Sequence, residues 1–144
     1  MFKNITVAVD GSDHARNALG VACDIAKLYE GNIHLVHTPE VQTTGIAVGS
    51  GAVEIQPTDA AVQAAGHDVM ADAVTRVRAA GCEPTSQIVG NGKPSAEVIA
   101  AANSTGSDLI VMGRRGLGGV QSFLMGSTSQ KIAHDAPCAV LTVK

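Results

Sequence analysis

Aromatic residues are almost missing from this chain: Phe2, Tyr29 and Phe123 make up 2% of its 144 residues, and there is no tryptophan. Single-stranded nucleic acids are held by aromatic stacking over a basic groove, and duplexes by clustered lysine and arginine. Here ten Lys and Arg are dispersed against thirteen Asp and Glu, for a net charge of −3. Nucleic acid is therefore excluded as a partner. Cysteine is also scarce, and Cys23, Cys82 and Cys138 are isolated and odd in number. They form neither a disulfide framework nor a metal-spaced pair, which points to a reducing compartment. No apolar run exceeds five or six residues, too short to cross a bilayer as a helix. Met1-Phe2-Lys3-Asn4-Ile5 runs straight into a strand-like segment without the apolar core of a signal peptide. The expectation is a cytoplasmic protein with no membrane partner.

What is present is a 45% hydrophobic chain of a length suited to one domain, residues 1–144. Ile5-Thr6-Val7-Ala8-Val9 reads as a strand, ending at Asp10-Gly11-Ser12. Ala15, Ala18, Leu19, Ala22, Ala26 and Tyr29 follow at helical spacing, with Ser12 placed to cap the first turn and Gly31 to close the helix. Ile33-His34-Leu35-Val36-His37 is a second strand. Residues 38–57 have no clear period and read as a long loop, of a kind that serves as a lid or stays disordered. Val62, Ala65, Val69, Ala73, Val77 and Ala80 mark a second helix, and residues 85–89 a third strand. A third helix starts near Ser95, with Ala96, Ile99 and Ala100 expected to face inward. Leu109-Ile110-Val111-Met112 is a fourth strand, a last helix begins near Gly126, and residues 139–143 form a fifth strand.

Strict alternation of strands and helices predicts an α/β fold: one open, mainly parallel five-stranded sheet with helices on both faces. The most apolar strands, the first and fourth, belong in the middle, and the polar third at an edge. That gives the order 3-2-1-4-5. Ligands of such sheets bind beyond the carboxyl ends of the strands where the order reverses, here between strands one and four. Two suggestive turns meet there, Asp10-Gly11-Ser12 and the stretch from Gly113 to Ser129. Gly113 and Gly116 allow close backbone approach. Gly126-Ser127-Thr128-Ser129 opens a helix whose free amides and dipole attract anions, and the three hydroxyls add donors. A capped turn with no ligand is the alternative reading, and Asp10 read alone is equally a turn residue. Arg114 and Arg115 read as a solvated loop. The five histidines are scattered, so no metal centre is expected from them. Neither a Walker A loop nor a dinucleotide fingerprint fits: Pro94 follows Gly92-Lys93, and Gln121 stands where the last fingerprint glycine would be.

The spacing Gly113-x2-Gly116-x9-Gly126-Ser127 resembles the Gly-x2-Gly-x9-Gly-Ser/Thr motif of nucleotide-binding universal stress proteins. Val7-Ala8-Val9-Asp10-Gly11-Ser12, Asp108-Leu109-Ile110-Val111-Met112-Gly113 and the segment Pro137-Cys138-Ala139-Val140-Leu141-Thr142-Val143 resemble the same family's other blocks. The resemblance implies a Rossmann-like fold with ATP in the crevice, accompanied by Mg2+ or Mn2+ held through the phosphates. It implies Ala8, Val9, Asp10 and Thr38 around the nucleoside, with Thr38 standing where the family more often has valine. Met112 and Gly113 would touch the nucleoside, and Gly116, Gly126, Ser127, Thr128 and Ser129 would hold the phosphates. It also implies a homodimer paired through the last strand, from Val140 to Val143, which would cover a sheet edge. The leading function is then an ATP-binding regulatory stress-response protein acting on a protein partner. The alternatives are a slow ATPase or phosphotransferase, a sensor of AMP or a cyclic nucleotide, and a nucleotide-free scaffold. Hydrolysis would need a base placed at the γ-phosphate, and the loop offers no obvious carboxylate.

Overall fold

β1 (Asn4–Val9) lies at the middle of a sheet whose strands alternate their side chains between two helical layers. In this computed structural model the described residues are 1–40, 44–48, 51–55, 58–117 and 125–144, with backbone only for 44–48 and 51–55. The further elements of the main sheet are β2 (Asn32–His37), β5 (Pro84–Val89), β6 (Leu109–Gly113) and β7 (Ala139–Val143), and its order is β5-β2-β1-β6-β7, all parallel. That is the order 3-2-1-4-5 expected from apolar content, with the polar strand β5 at one edge and β7 at the other.

The period-two alternation divides the core. Ile5, Val7, Val9, Ile33, Leu35, Leu109 and Val111 face α1 (Asp13–Tyr29) and α2 (Asp59–Ala79). Val36, Ile110 and Met112 face α3 (Pro94–Thr105) and α4 (Ser127–Asp135). Each fully buried Val, Leu or Ile contributes about 1.5–3 kcal/mol of transfer free energy, so both faces of the central strands are fixed by the same few residues. The Ser12 hydroxyl accepts from the Ala15 amide at 3.2 Å and caps α1 as expected. Glu30, in the left-handed region at φ 51°, ends that helix just before Gly31. Cys23 is buried in the first layer beside Cys82, and that burial pushes its thiol up to about 12.

Two expectations are corrected. The stretch 38–57 is not a structureless loop: β3 (Thr44–Val48) and β4 (Gly51–Ile55) pair antiparallel as a separate two-stranded sheet, with Ile46 opposite Val53 and Thr44 opposite Ile55. Residues 41–43, 49–50 and 56–57 of the expected lid lie outside the described residues. Alanine and glycine dilute both runs, which masks their alternation. The inward face of α3 is also different. Val98, Ala101 and Ala102 are buried, while Ala96 and Ala100 are exposed and Ile99 half-buried. An alanine-rich helix has apolar residues all round, so the one large buried side chain, Val98, decides which stripe meets the sheet. α2 likewise turns Met70, Val74 and Gly66 inward with Val62, Ala73 and Val77, leaving Ala65 exposed and Val69 half-buried. Gly66 lets α2 approach closely: a Cβ there would lie 2.7 Å from Val89 Cγ1.

Among the described residues no helix is long and apolar enough to cross a membrane.

Candidate functional site

At the carboxyl end of β1 the chain turns sharply. Asp10 Oδ1 accepts the Ser12 amide at 2.9 Å, and Gly11 takes φ 82° to let it do so. The Ser12 hydroxyl, besides capping α1, donates to the Arg115 carbonyl at 3.4 Å and ties this turn to the loop after β6. That loop leaves β6 at Gly113, which is packed against the start of α1: a Cβ there would lie 2.8 Å from the Ala15 amide nitrogen. The Gly126 amide donates to the Arg114 carbonyl at 3.0 Å and brings the end of the loop back to its beginning. Residues 118–124, inside the glycine motif, lie outside the described residues.

Between these turns lies a cavity of about 740 Å³. Ala8, Val9, Asp10, Thr38, Met112, Gly113, Gly116, Gly126, Ser127, Thr128 and Ser129 all line it. The expected site residues are thus brought together in one cleft at the topological switch point. Its walls are mainly apolar, with a few polar groups converging at the ends, which is the usual make-up of a small-molecule site. The β6 side ends in the first turn of α4, where Gly126 occupies the cap position and no side chain caps the helix. First-turn amides have no intrahelical acceptor, so those of Ser127, Thr128 and Ser129 form an anion-attracting end. The three hydroxyls are not equivalent. Ser129 is buried and its hydroxyl donates to the Gly113 carbonyl at 3.0 Å, while Ser127 and Thr128 are exposed. Arg114 and Arg115 are only partly exposed, and Arg115 lines the cleft, so the solvated-loop expectation for this pair does not hold.

Gly126 sets this cleft apart from an ordinary turn. Its φ of −69° is open to any residue, and among the described residues a Cβ built on it would meet nothing closer than 3.7 Å. Neither the backbone nor any neighbour among the described residues requires glycine there. The space in front of it is the cradle a Cβ would fill. By contrast, a Cβ on Gly116 would sit 2.5 Å from Asp10 Oδ2, so a side chain there would displace that carboxylate.

Sequence patterns alone do not reveal the β2 and α2 side of the cleft. His37, Pro39 and Glu40 extend the wall past β2, Ala65 and Val69 come from α2, and Pro94 and Val98 from α3. Each comes from a separate element without a motif of its own. The buried polar strand residue His37 is the one signal that could have pointed there. Thr38 is also informative, because its Oγ1 is buried without a hydrogen-bond partner among the described residues.

The sequence pattern of the Universal stress protein family matches residues 1–144. The chain belongs to the universal stress protein family. A universal stress protein of Thermus aquaticus is 36% identical to it over 146 residues, covering all of both chains. Among solved structures, a universal stress protein in complex with cAMP superposes with a TM-score of 0.75 at 21% identity, covering 99% of this chain and 97% of that one. The universal stress protein of Archaeoglobus fulgidus in complex with dAMP gives 0.71 at 23% identity, covering 99% and 98%. At those identities the likeness establishes the Rossmann-like α/β fold, and the site of this universal stress protein must be argued from its own residues.

Proposed function

We propose that this universal stress protein binds an adenine nucleotide, ATP in the first instance, in the cleft between β1 and β6. The observation that carries the reading is the cradle at Gly126, a glycine that neither its backbone nor its neighbours among the described residues demand, at a helix N-terminus whose cap residue has no side chain. Ser127, Thr128 and the amides of the first α4 turn would hold phosphate oxygens, with Gly116 and Gly126 giving close approach. Ser129 would serve through its amide, since its hydroxyl is engaged by Gly113. Ala8, Val9, Asp10, Thr38, Met112 and Gly113 would border the nucleoside. Mg2+ or Mn2+ would arrive with the phosphates and add charge neutralisation there. In this reading the protein is a cytoplasmic regulator whose nucleotide state alters its hold on a protein partner. β7 is an edge strand, and pairing of its residues 140–143 with a second copy would make the homodimer.

Two similar proteins were solved with cAMP and with dAMP, which supports a second reading in which this chain senses a monophosphate or cyclic nucleotide. One experiment separates the readings. The protein is purified without added nucleotide and denatured, and the released small molecule is identified by chromatography and mass. ATP supports the first reading. A released AMP or cyclic nucleotide supports the second, and ADP together with phosphate release above background supports a slow ATPase. An empty protein that binds none of them on calorimetric titration refutes the site.

A further inference from the structure

The cleft holds a histidine whose hydrogen-bonding character is set by the fold. His37, the last residue of β2, is 6% exposed and lines the cleft wall. Its Nδ1 lies 2.8 Å from the Val9 carbonyl oxygen, which can only accept. Nδ1 therefore carries the hydrogen and donates it, and in the neutral ring Nε2 is left as a bare acceptor. Nε2 has no hydrogen-bond partner among the described residues. Its Cδ2 edge faces Gly66 of α2, where a Cβ on residue 66 would come within 3.3 Å of it. A one-way acceptor, oriented by the Val9 carbonyl, thus stands on the β2 side of the cleft beside Thr38.

Resting on the nucleotide reading above, we infer that His37 reads the base: its Nε2 accepts a hydrogen bond from an exocyclic amino group and selects 6-aminopurines over 6-oxopurines. An amino N–H points a donor at Nε2. A 6-oxo group points a lone pair at it and leaves two acceptors facing each other with no hydrogen between them. Discrimination by a buried polar group is strong for this reason, because the wrong ligand leaves the group unpaired. No other assignment in the cleft requires His37 to be a histidine. The Val9 tie alone could be made by an asparagine.

Calorimetric titration of the full chain with ATP and with inosine triphosphate tests this, in wild type and in His37→Asn. Asparagine can keep a donor near the Nδ1 position and removes Nε2. The expected wild-type preference for ATP is about tenfold or more, and the variant brings ATP down to the inosine triphosphate level while leaving the latter unchanged. Equal wild-type affinities overturn the inference, as does a folded His37→Asn that keeps the preference. If the variant does not fold, the wild-type ratio decides together with the nitrogen-15 resonance of His37 Nε2. That resonance should shift on adding ATP but not inosine triphosphate. A resonance unmoved by ATP overturns the inference. A wild-type protein that binds both triphosphates equally leaves the nucleotide site standing and removes His37 from base reading. One that binds neither removes the nucleotide reading itself, and this inference with it.

Discussion

Asp10 Oδ2 faces Gly116 so closely that a Cβ on residue 116 would stand 2.5 Å from it, while Oδ1 of the same carboxylate holds the Ser12 amide at 2.9 Å. One side chain thus closes the β1 turn and seats the glycine loop of β6. The two halves of the cleft are registered to each other by this contact and by the Ser12 hydroxyl on Arg115.

Gly116→Ala should therefore lower stability by about 1–3 kcal/mol, the usual range for overpacking. Asp10→Ala removes the atom it strikes. The double variant should then be more stable than the sum of the single effects predicts, by about 1 kcal/mol in a denaturant double-mutant cycle. Additive behaviour would mean the carboxylate does not seat the loop.

Gly126→Val makes the opposite case. The backbone at 126 suits valine and no atom of the described residues stands nearer than 3.7 Å to the new Cβ, so the unfolding free energy should stay within about 1 kcal/mol of wild type. Nucleotide affinity should fall tenfold to a hundredfold or more, as expected when about 1.4–3 kcal/mol of overlap is forced on a ligand. Unchanged affinity in a folded variant would place the phosphates elsewhere.

How much of this could be read from sequence follows from the kind of signal each element carries. The order of the main sheet was legible because Leu109-Ile110-Val111-Met112 is apolar on both faces while Thr85-Ser86-Gln87 is not, and parallel strands buried on both sides must be apolar on both. Gly113, Gly116, Gly126, Ser127, Thr128 and Ser129 were legible because glycine spacing and helix-start chemistry are local, and Asp10 because it ends a strand at the crevice, whereas Ala8, Val9, Thr38 and Met112 were reached only through the family resemblance. The hairpin was harder. Its runs 44–48 and 51–55 carry Ile46, Val48, Val53 and Ile55 two apart, and the two-residue Gly49-Ser50 separation is a hairpin signal, but the intervening alanines and glycines hide the alternation. The inward faces of α2 and α3 were not legible, since alanine fits either side of a helix. What selects Val98 and Gly66 is the shape of the sheet they meet. The same holds for His37, Ala65 and Val69 in the cleft, which long-range packing alone brings together.

Thr38→Val should stabilise the unliganded protein. The Thr38 hydroxyl is buried without a partner among the described residues, and replacing it by a methyl group of similar shape removes an unmet hydrogen bond. The expected gain is about 1 kcal/mol in chemical denaturation, since unsatisfied buried groups cost about 1–3 kcal/mol. A loss of stability would show that the hydroxyl has a partner after all.

His34 gives the fold an acid limit. It is 7% exposed, with Nδ1 at 2.8 Å from the Ser86 hydroxyl, and burial holds its pKa below the ordinary 6.5. The unfolded chain therefore takes up this proton at a higher pH than the native one does. Stability rises with pH wherever the unfolded state binds more protons, so this contribution is complete above about pH 6.5 and is lost as the pH falls from there through the native value. His34→Gln, which keeps a polar group for Ser86 but cannot charge, should flatten the fall in denaturation midpoint between pH 7 and 5. Parallel pH profiles for the two proteins would assign the acid limit to another group.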